Sequence, residues 1–186
     1  NAEPLDASCR IEINPLADGS VRNLLPIKAP HYLCLYAAKQ EGYLVNAGYI
    51  LQQVDLLLST MNLGSCWLGM AKPGKEVPQE RNGLEFVIML AFGQAAEPVH
   101  RESLAEFRRK ELAEITDLTG MNTLLETVRL APSASNTQAW FFTGTPAAPI
   151  LCRTRMNPLK ATLYGRMNQI DMGIALCHLA LALAQQ

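Results

Sequence analysis

The sequence predicts an α+β fold, and three features of its apolar patterning carry that reading. Residues 84–92 form an almost unbroken apolar run rich in strand formers, which suits the centre of a sheet. Ala47, Ile50, Leu51, Val54, Leu57, Leu58 and Met61 recur at helical spacing. Residues 172–184 are apolar all the way round, as befits a helix covered on every side.

The remaining elements follow in chain order. Residues 9–14 alternate as a half-buried strand, and residues 31–36 form a second strand after Pro30. Asn46 is placed to cap the helix of residues 47–61, and Gly64 to stop it. Beyond the central strand, Leu104, Phe107, Leu112 and Ile115 predict an amphipathic helix in a charged stretch. Leu124, Leu125 and Val128 share one helical face until Pro132 bars continuation, and residues 139–143 read as a strand. Asp171 is placed to cap the last helix. Residues 48–58 align with residues 173–183, and residues 30–33 with 139–142, so the chain reads as an internal duplication with half-repeats 1–100 and 101–186.

With 186 residues the chain can bury one good core, so a single domain over 1–186 is expected. A net charge of −1 gives no electrostatic footprint for nucleic acid or an anionic membrane, which leaves a small molecule as the expected partner. Cys9, Cys34, Cys66, Cys152 and Cys177 are scattered and odd in number, which predicts free thiols in a reducing, cytoplasmic setting. The longest apolar stretch is shorter than the roughly 20 residues a bilayer requires. His31, His100 and His178 have no metal-ligand spacing, and no P-loop, G-x-S-x-G or G-x-G-x-x-G occurs. The chain starts at Asn1 without methionine and ends at Gln186 within a helical pattern, so truncation at both ends is expected.

Two segments carry the chemistry. Pro132-Ser133-Ala134-Ser135-Asn136-Thr137-Gln138-Ala139-Trp140 joins a helix end to a strand through closely spaced polar groups, a position where binding residues concentrate. Gly64-Ser65-Cys66-Trp67-Leu68-Gly69 brings glycines that allow close main-chain approach. The first resembles the Pro-Ser-x-x-Asn-x-Gln-Pro-Trp segment of the FMN-dependent nitroreductase family, with Ala139 in place of its second proline. The second, with Asn62 and Leu63 before it, is similar to the Gly-Leu-Gly-x-x-Trp loop with which many of these flavoproteins pass the flavin ring.

The resemblance implies a three-layer α-β-α nitroreductase-like fold, in the subgroup that carries two half-units in one chain and forms a pseudo-dimer with a composite site. It implies FMN as cofactor, NAD(P)H as donor and an electron-poor acceptor such as a nitroaromatic or quinone, in ping-pong order. No catalytic side chain is required, because the flavin N5 does the chemistry opposite a backbone N–H near Ser65 or Cys66. By the same resemblance Gly64, Ser65, Cys66, Trp67, Arg101, Pro132, Ser133, Ser135 and Asn136 contact the cofactor, with Gln138 bracing the second loop. The family's Arg-Arg-Ser-x-Arg phosphate motif is absent from these residues and is expected upstream; Arg108-Arg109-Lys110 is a candidate degenerate copy, or else a solvated face. Two alternatives stand beside this reading: a flavin-binding or structural member without turnover, and a thiol enzyme built on Cys66.

Overall fold

The computed structural model describes residues 2–17, 20–23 and 27–185, with the side chains of Lys160 and Leu163 outside that description. Asn1 and Gln186, on which the expected truncation turns, also lie outside the described residues. The chain divides into two compact units, Asn1–Arg101 and Glu102–Gln186.

The first unit is a twisted antiparallel sheet with one long helix. Its elements are β1 (Ile11–Ala17), β2 (Val21–Arg22), β3 (His31–Ala37), α1 (Tyr43–Thr60), β4 (Gly64–Leu68), β5 (Lys72–Pro73), β6 (Glu80–Arg81) and β7 (Leu84–Gly93). Spatial order in the main sheet is β1-β3-β7-β4, with β6 also pairing β7, and β2 and β5 form a separate small ribbon. The apolar run is therefore central, as its composition predicts. β1 begins two residues later than its alternating pattern suggests and runs through Pro15, which is tolerated because the strand lies at the sheet edge.

α1 covers one sheet face with Leu44, Ala47, Ile50, Leu51 and Leu58, all buried; a fully buried Leu such as Leu51 contributes about 1.5–3 kcal/mol. On the other face Tyr32, Cys34, Tyr36, Leu68, Met89 and Ala91 form a core cluster. The helix boundaries differ from expectation. Gly42 (φ 75°) precedes the first turn, so Asn46 lies inside the helix. There its amide accepts the N–H groups of Leu5 (2.8 Å) and Asp6 (3.1 Å) and donates to the Asp6 carbonyl (3.0 Å), pinning the N-terminal segment rather than capping. The helix stops at Met61 and left-handed Asn62 (φ 58°), before Gly64, which opens β4.

Gly93, paired with Gly64, lies where Pro30 passes closely: a Cβ there would fall 2.7 Å from both Cγ and Cδ of the proline ring. Gly93→Ala is expected to destabilise the first unit by about 1–3 kcal/mol, the cost of overpacking, as read from urea unfolding. A midpoint equal to wild type would mean that the ring moves aside freely.

The second unit contains α2 (Asn122–Arg129), β8 (Trp140–Thr145), β9 (Ala148–Arg153) and α3 (Pro158–Leu183), with single 3₁₀ turns at Leu104–Phe107, Leu112–Glu114 and Ala134–Asn136. β8 and β9 form an antiparallel hairpin. Trp140 and Phe142 point into the core, and Leu124, Leu125 and Val128 of α2 are buried as their spacing predicts. The amphipathic helix expected through Leu104 and Ile115 is instead two short turns. Arg108 (φ 45°) breaks the path between them, and Ser103 with Glu106, then Glu111 with Glu114, close reciprocal capping boxes. α3 starts at Pro158, a favoured first helical position, so Asp171 lies in mid-helix and does not cap. The apolar pattern concealed the polar first half of that helix. Its last turns are also less covered than expected, since Leu181 and Leu183 are exposed.

The two units carry different sheets, a five-stranded one and a two-stranded hairpin among the described residues. The strand topologies of the two units thus differ among the described residues.

Candidate functional site

In the first unit the expected glycine loop is a strand, β4, at one edge of the sheet. Together with residues 91–96 and 27–30 its first three residues border a cavity of about 320 Å³. Gly64, Ser65 and Cys66 thus come together at one cavity wall, while Arg101 is exposed at the end of this unit and does not line it. Lys28 is the charged residue of the lining, and Ile27, Ala29, Pro30, Ala91, Phe92, Ala95 and Ala96 make most of the rest apolar. A Cβ at Gly64 would approach the Ala95 Cβ to 3.0 Å, so the glycine keeps this wall open.

Side chains alternate across β4. Ser65 and Trp67 turn toward α1, where the Ser65 hydroxyl donates to Oδ1 of Asp55 and the Trp67 indole N–H donates to Oδ2 at 3.2 Å. Sequence reasoning missed Asp55, which reads as one polar position of an amphipathic helix; the signal available was a carboxylate on the helix that leads directly into a Ser-x-Trp strand. Cys66 packs on the opposite side, against the cluster of Tyr32, Cys34 and Leu68. Burial and then the Asp55 charge push its thiol up, and burial pushes Cys34 to about 12. Both shifts disfavour the thiolate, the form a Cys66 nucleophile would use.

In the second unit Pro132, Ser133, Ser135 and Asn136 form a tight turn between α2 and β8. Ser135 (φ 50°), Asn136 (φ 53°) and Gln138 (φ 44°) are all left-handed, an arrangement that costs roughly 1–2 kcal/mol per residue and needs support. The support is a polar network. Ser133 Oγ accepts the Gln138 N–H (2.9 Å), and Ala134 N–H donates to Oδ1 of Asp171 (3.0 Å). The Asn136 amide donates to the Arg108 carbonyl (2.9 Å) and accepts from Arg109 Nη1 (2.6 Å) and Gln138 Nε2 (3.2 Å). Buried Gln138 accepts the Lys110 N–H (2.9 Å) through Oε1, and its carbonyl accepts Lys110 Nζ (3.0 Å). Arg109 also donates to the carbonyls of Leu130 and Phe107.

Within Arg108-Arg109-Lys110, Arg109 and Lys110 therefore hold the turn, while Arg108 is exposed and gives its carbonyl to it. Ser133 accepts within the unit, and Asn136 both donates and accepts there. Ser135 is exposed, and its hydroxyl has no partner among the described residues. Asp171 is 3 % exposed, its Oδ2 has no partner among the described residues, and burial raises its carboxyl to about 7 against the opposing pull of the Ala134 N–H.

Comparison with known proteins places this geometry. The family described as "Putative TM nitroreductase" matches residues 3–183. The crystal structure of a "putative nitroreductase" from Thermotoga maritima is similar with a TM-score of 0.64 at 19% identity, covering 100% of this chain and 70% of that one. At that identity the likeness speaks for the fold, which is the α+β nitroreductase fold. No curated protein matches the chain. The class these findings define is an oxidoreductase of a kind that generally uses a flavin. The chain belongs to the family whose model it matches, described as "Putative TM nitroreductase". No helix among the described residues is long and apolar enough to cross a membrane, and no group of metal-ligating side chains occurs among them.

Proposed function

We propose that this chain is an FMN-dependent oxidoreductase that passes electrons from NAD(P)H to an electron-poor acceptor, a nitroaromatic or a quinone, in ping-pong order. The observation that carries the reading is the cavity of about 320 Å³ bordered by Gly64, Ser65 and Cys66 at the sheet edge. An edge strand has N–H and C=O groups that no neighbouring strand takes up, and the polar edge of a flavin ring needs such partners. The cavity volume lies at the lower end of the range for small-molecule sites, which suits a flat ring system with its phosphate outside. Glycine at positions 64 and 93 keeps Cβ atoms out of the lining, as a close-lying ring requires.

The redox chemistry belongs to the cofactor, which exchanges hydride at N5. The part of the chain is to bind and orient. With the cofactor bound, those backbone donors of residues 64–66 that β7 leaves open would meet the ring edge, Phe92 and Pro30 would give apolar walls, and Lys28 would bring positive charge. Arg101 is proposed for the phosphate, and Pro132, Ser133, Ser135 and Asn136 for cofactor contacts. NAD(P)H binds transiently, because no Rossmann motif offers it a site of its own. No side chain need act as general acid; protons come from solvent or substrate. Five free cysteines support a reducing, cytoplasmic location.

Steady-state kinetics with NAD(P)H and a nitroaromatic or quinone test this reading. Parallel double-reciprocal lines are expected. Flavin binding without turnover of either acceptor class would favour the non-enzymatic member of the family. Since both motifs occur in one chain, we also propose a monomer with at most one flavin; occupancy is expected to be independent of dilution, and flavin loss that tracks dissociation of a dimer would overturn it.

A further inference from the structure

We propose that Asp55 is the positioning residue of this cavity: from α1 its carboxylate spans to Ser65 and Trp67 and holds the edge strand that forms the wall. The proposal rests on the flavin reading above for its functional meaning, and on geometry for its substance. Ser65 and Trp67 are alternate residues on one side of β4, so a single carboxylate that accepts from both fixes the tilt and height of the strand at two points. β4 needs such a fixture, because among the described residues it is an edge strand held by β7 on one side.

Hydrogen bonds to a charged acceptor are the stronger kind, and here two donors share one half-buried carboxylate. The bonds also turn the Ser65 and Trp67 side chains toward the helix, so that the backbone of residues 64–66 is what these positions present beside the cavity. A second consequence is electrostatic. Asp55 raises the Cys66 thiol, so its charge is felt at the wall, where it would oppose electrons arriving on a bound flavin.

The test uses the whole protein, Asp55→Asn, and a Ser65→Ala/Trp67→Phe double variant that removes both donors and keeps the carboxylate. In FMN-free protein, hydrogen exchange of the amides of residues 64–68 is expected to quicken at least tenfold in both, while β1 and β3 keep their rates. Unchanged exchange in both variants overturns the proposal whether or not flavin binds. In FMN-loaded protein, Asp55→Asn is expected to raise the ratio of reduced to oxidised flavin at a fixed potential about tenfold, or about 30 mV for a two-electron couple. The double variant is expected to leave that ratio in place. A ratio shifted equally in both variants overturns the electrostatic half, since only one has lost the charge. Wild-type protein that takes up no FMN would defeat the flavin reading, and exchange alone then decides whether Asp55 holds the strand.

Discussion

Asp171→Asn is expected to stabilise the protein more at pH 8 than at pH 5. Burial lifts the Asp171 carboxyl to about 7, and the Ala134 N–H only partly offsets that rise. A folded-state value above the unfolded value of ~3.9 means that the native state holds the proton more tightly than the unfolded chain. The stability this contributes is complete below pH ~4, declines as pH rises through about 7, and is absent above it. A rise of about three pH units at ~1.4 kcal/mol each sets an upper bound of about 4 kcal/mol on the penalty at alkaline pH. Asparagine keeps an oxygen for the Ala134 N–H and carries no charge, so it avoids the penalty. Urea unfolding at the two pH values measures the difference; an equal effect at both would mean that the carboxylate is solvated in the native state.

Asn136→Ala is expected to cost about 2–4 kcal/mol, a large effect for an exposed residue. Its amide makes three hydrogen bonds, to Arg108, Arg109 and Gln138, each contributing roughly 0.5–1.5 kcal/mol. Its φ of 53° also suits asparagine better than alanine. Asn136→Gly separates the two contributions, since glycine accepts the backbone angle and lacks the amide. Unfolding free energies ordered wild type, glycine, alanine support the account. Variants within 0.5 kcal/mol of wild type, on the scale of ordinary surface substitutions, would contradict it and return Asn136 to a role toward ligand alone.

The sheet-forming and helix-forming segments were legible because burial on both faces or on one leaves a periodic mark: β7, α1 and α2 appear where residues 84–92, 47–61 and 124–128 predicted them. Helix ends were less legible. Gly42 and Pro158 start helices that the apolar pattern begins later, since exposed first turns carry no hydrophobic period. The charged stretch around Arg108 misled, because a left-handed residue interrupts a pattern that spacing alone cannot test. At the site, the motif residues were visible while their partners were not. Asp55, Arg109, Lys110 and Asp171 hold those motifs through hydrogen bonds between residues ten or more apart in sequence, and such pairings leave no local signature. Left-handed Ser135 and Gln138 were equally hidden, since neither residue type announces a positive φ.

The central claim is that the wall formed by Gly64, Ser65 and Cys66 receives a flavin, and an equilibrium titration of the protein with FMN tests it most directly. Saturable uptake of one FMN per chain is predicted, with a shifted visible spectrum and with affinity lost in Gly64→Val, whose side chain would fill the space that the glycine leaves beside Ala95. A titration without saturation, or equal affinity in Gly64→Val, would contradict the account.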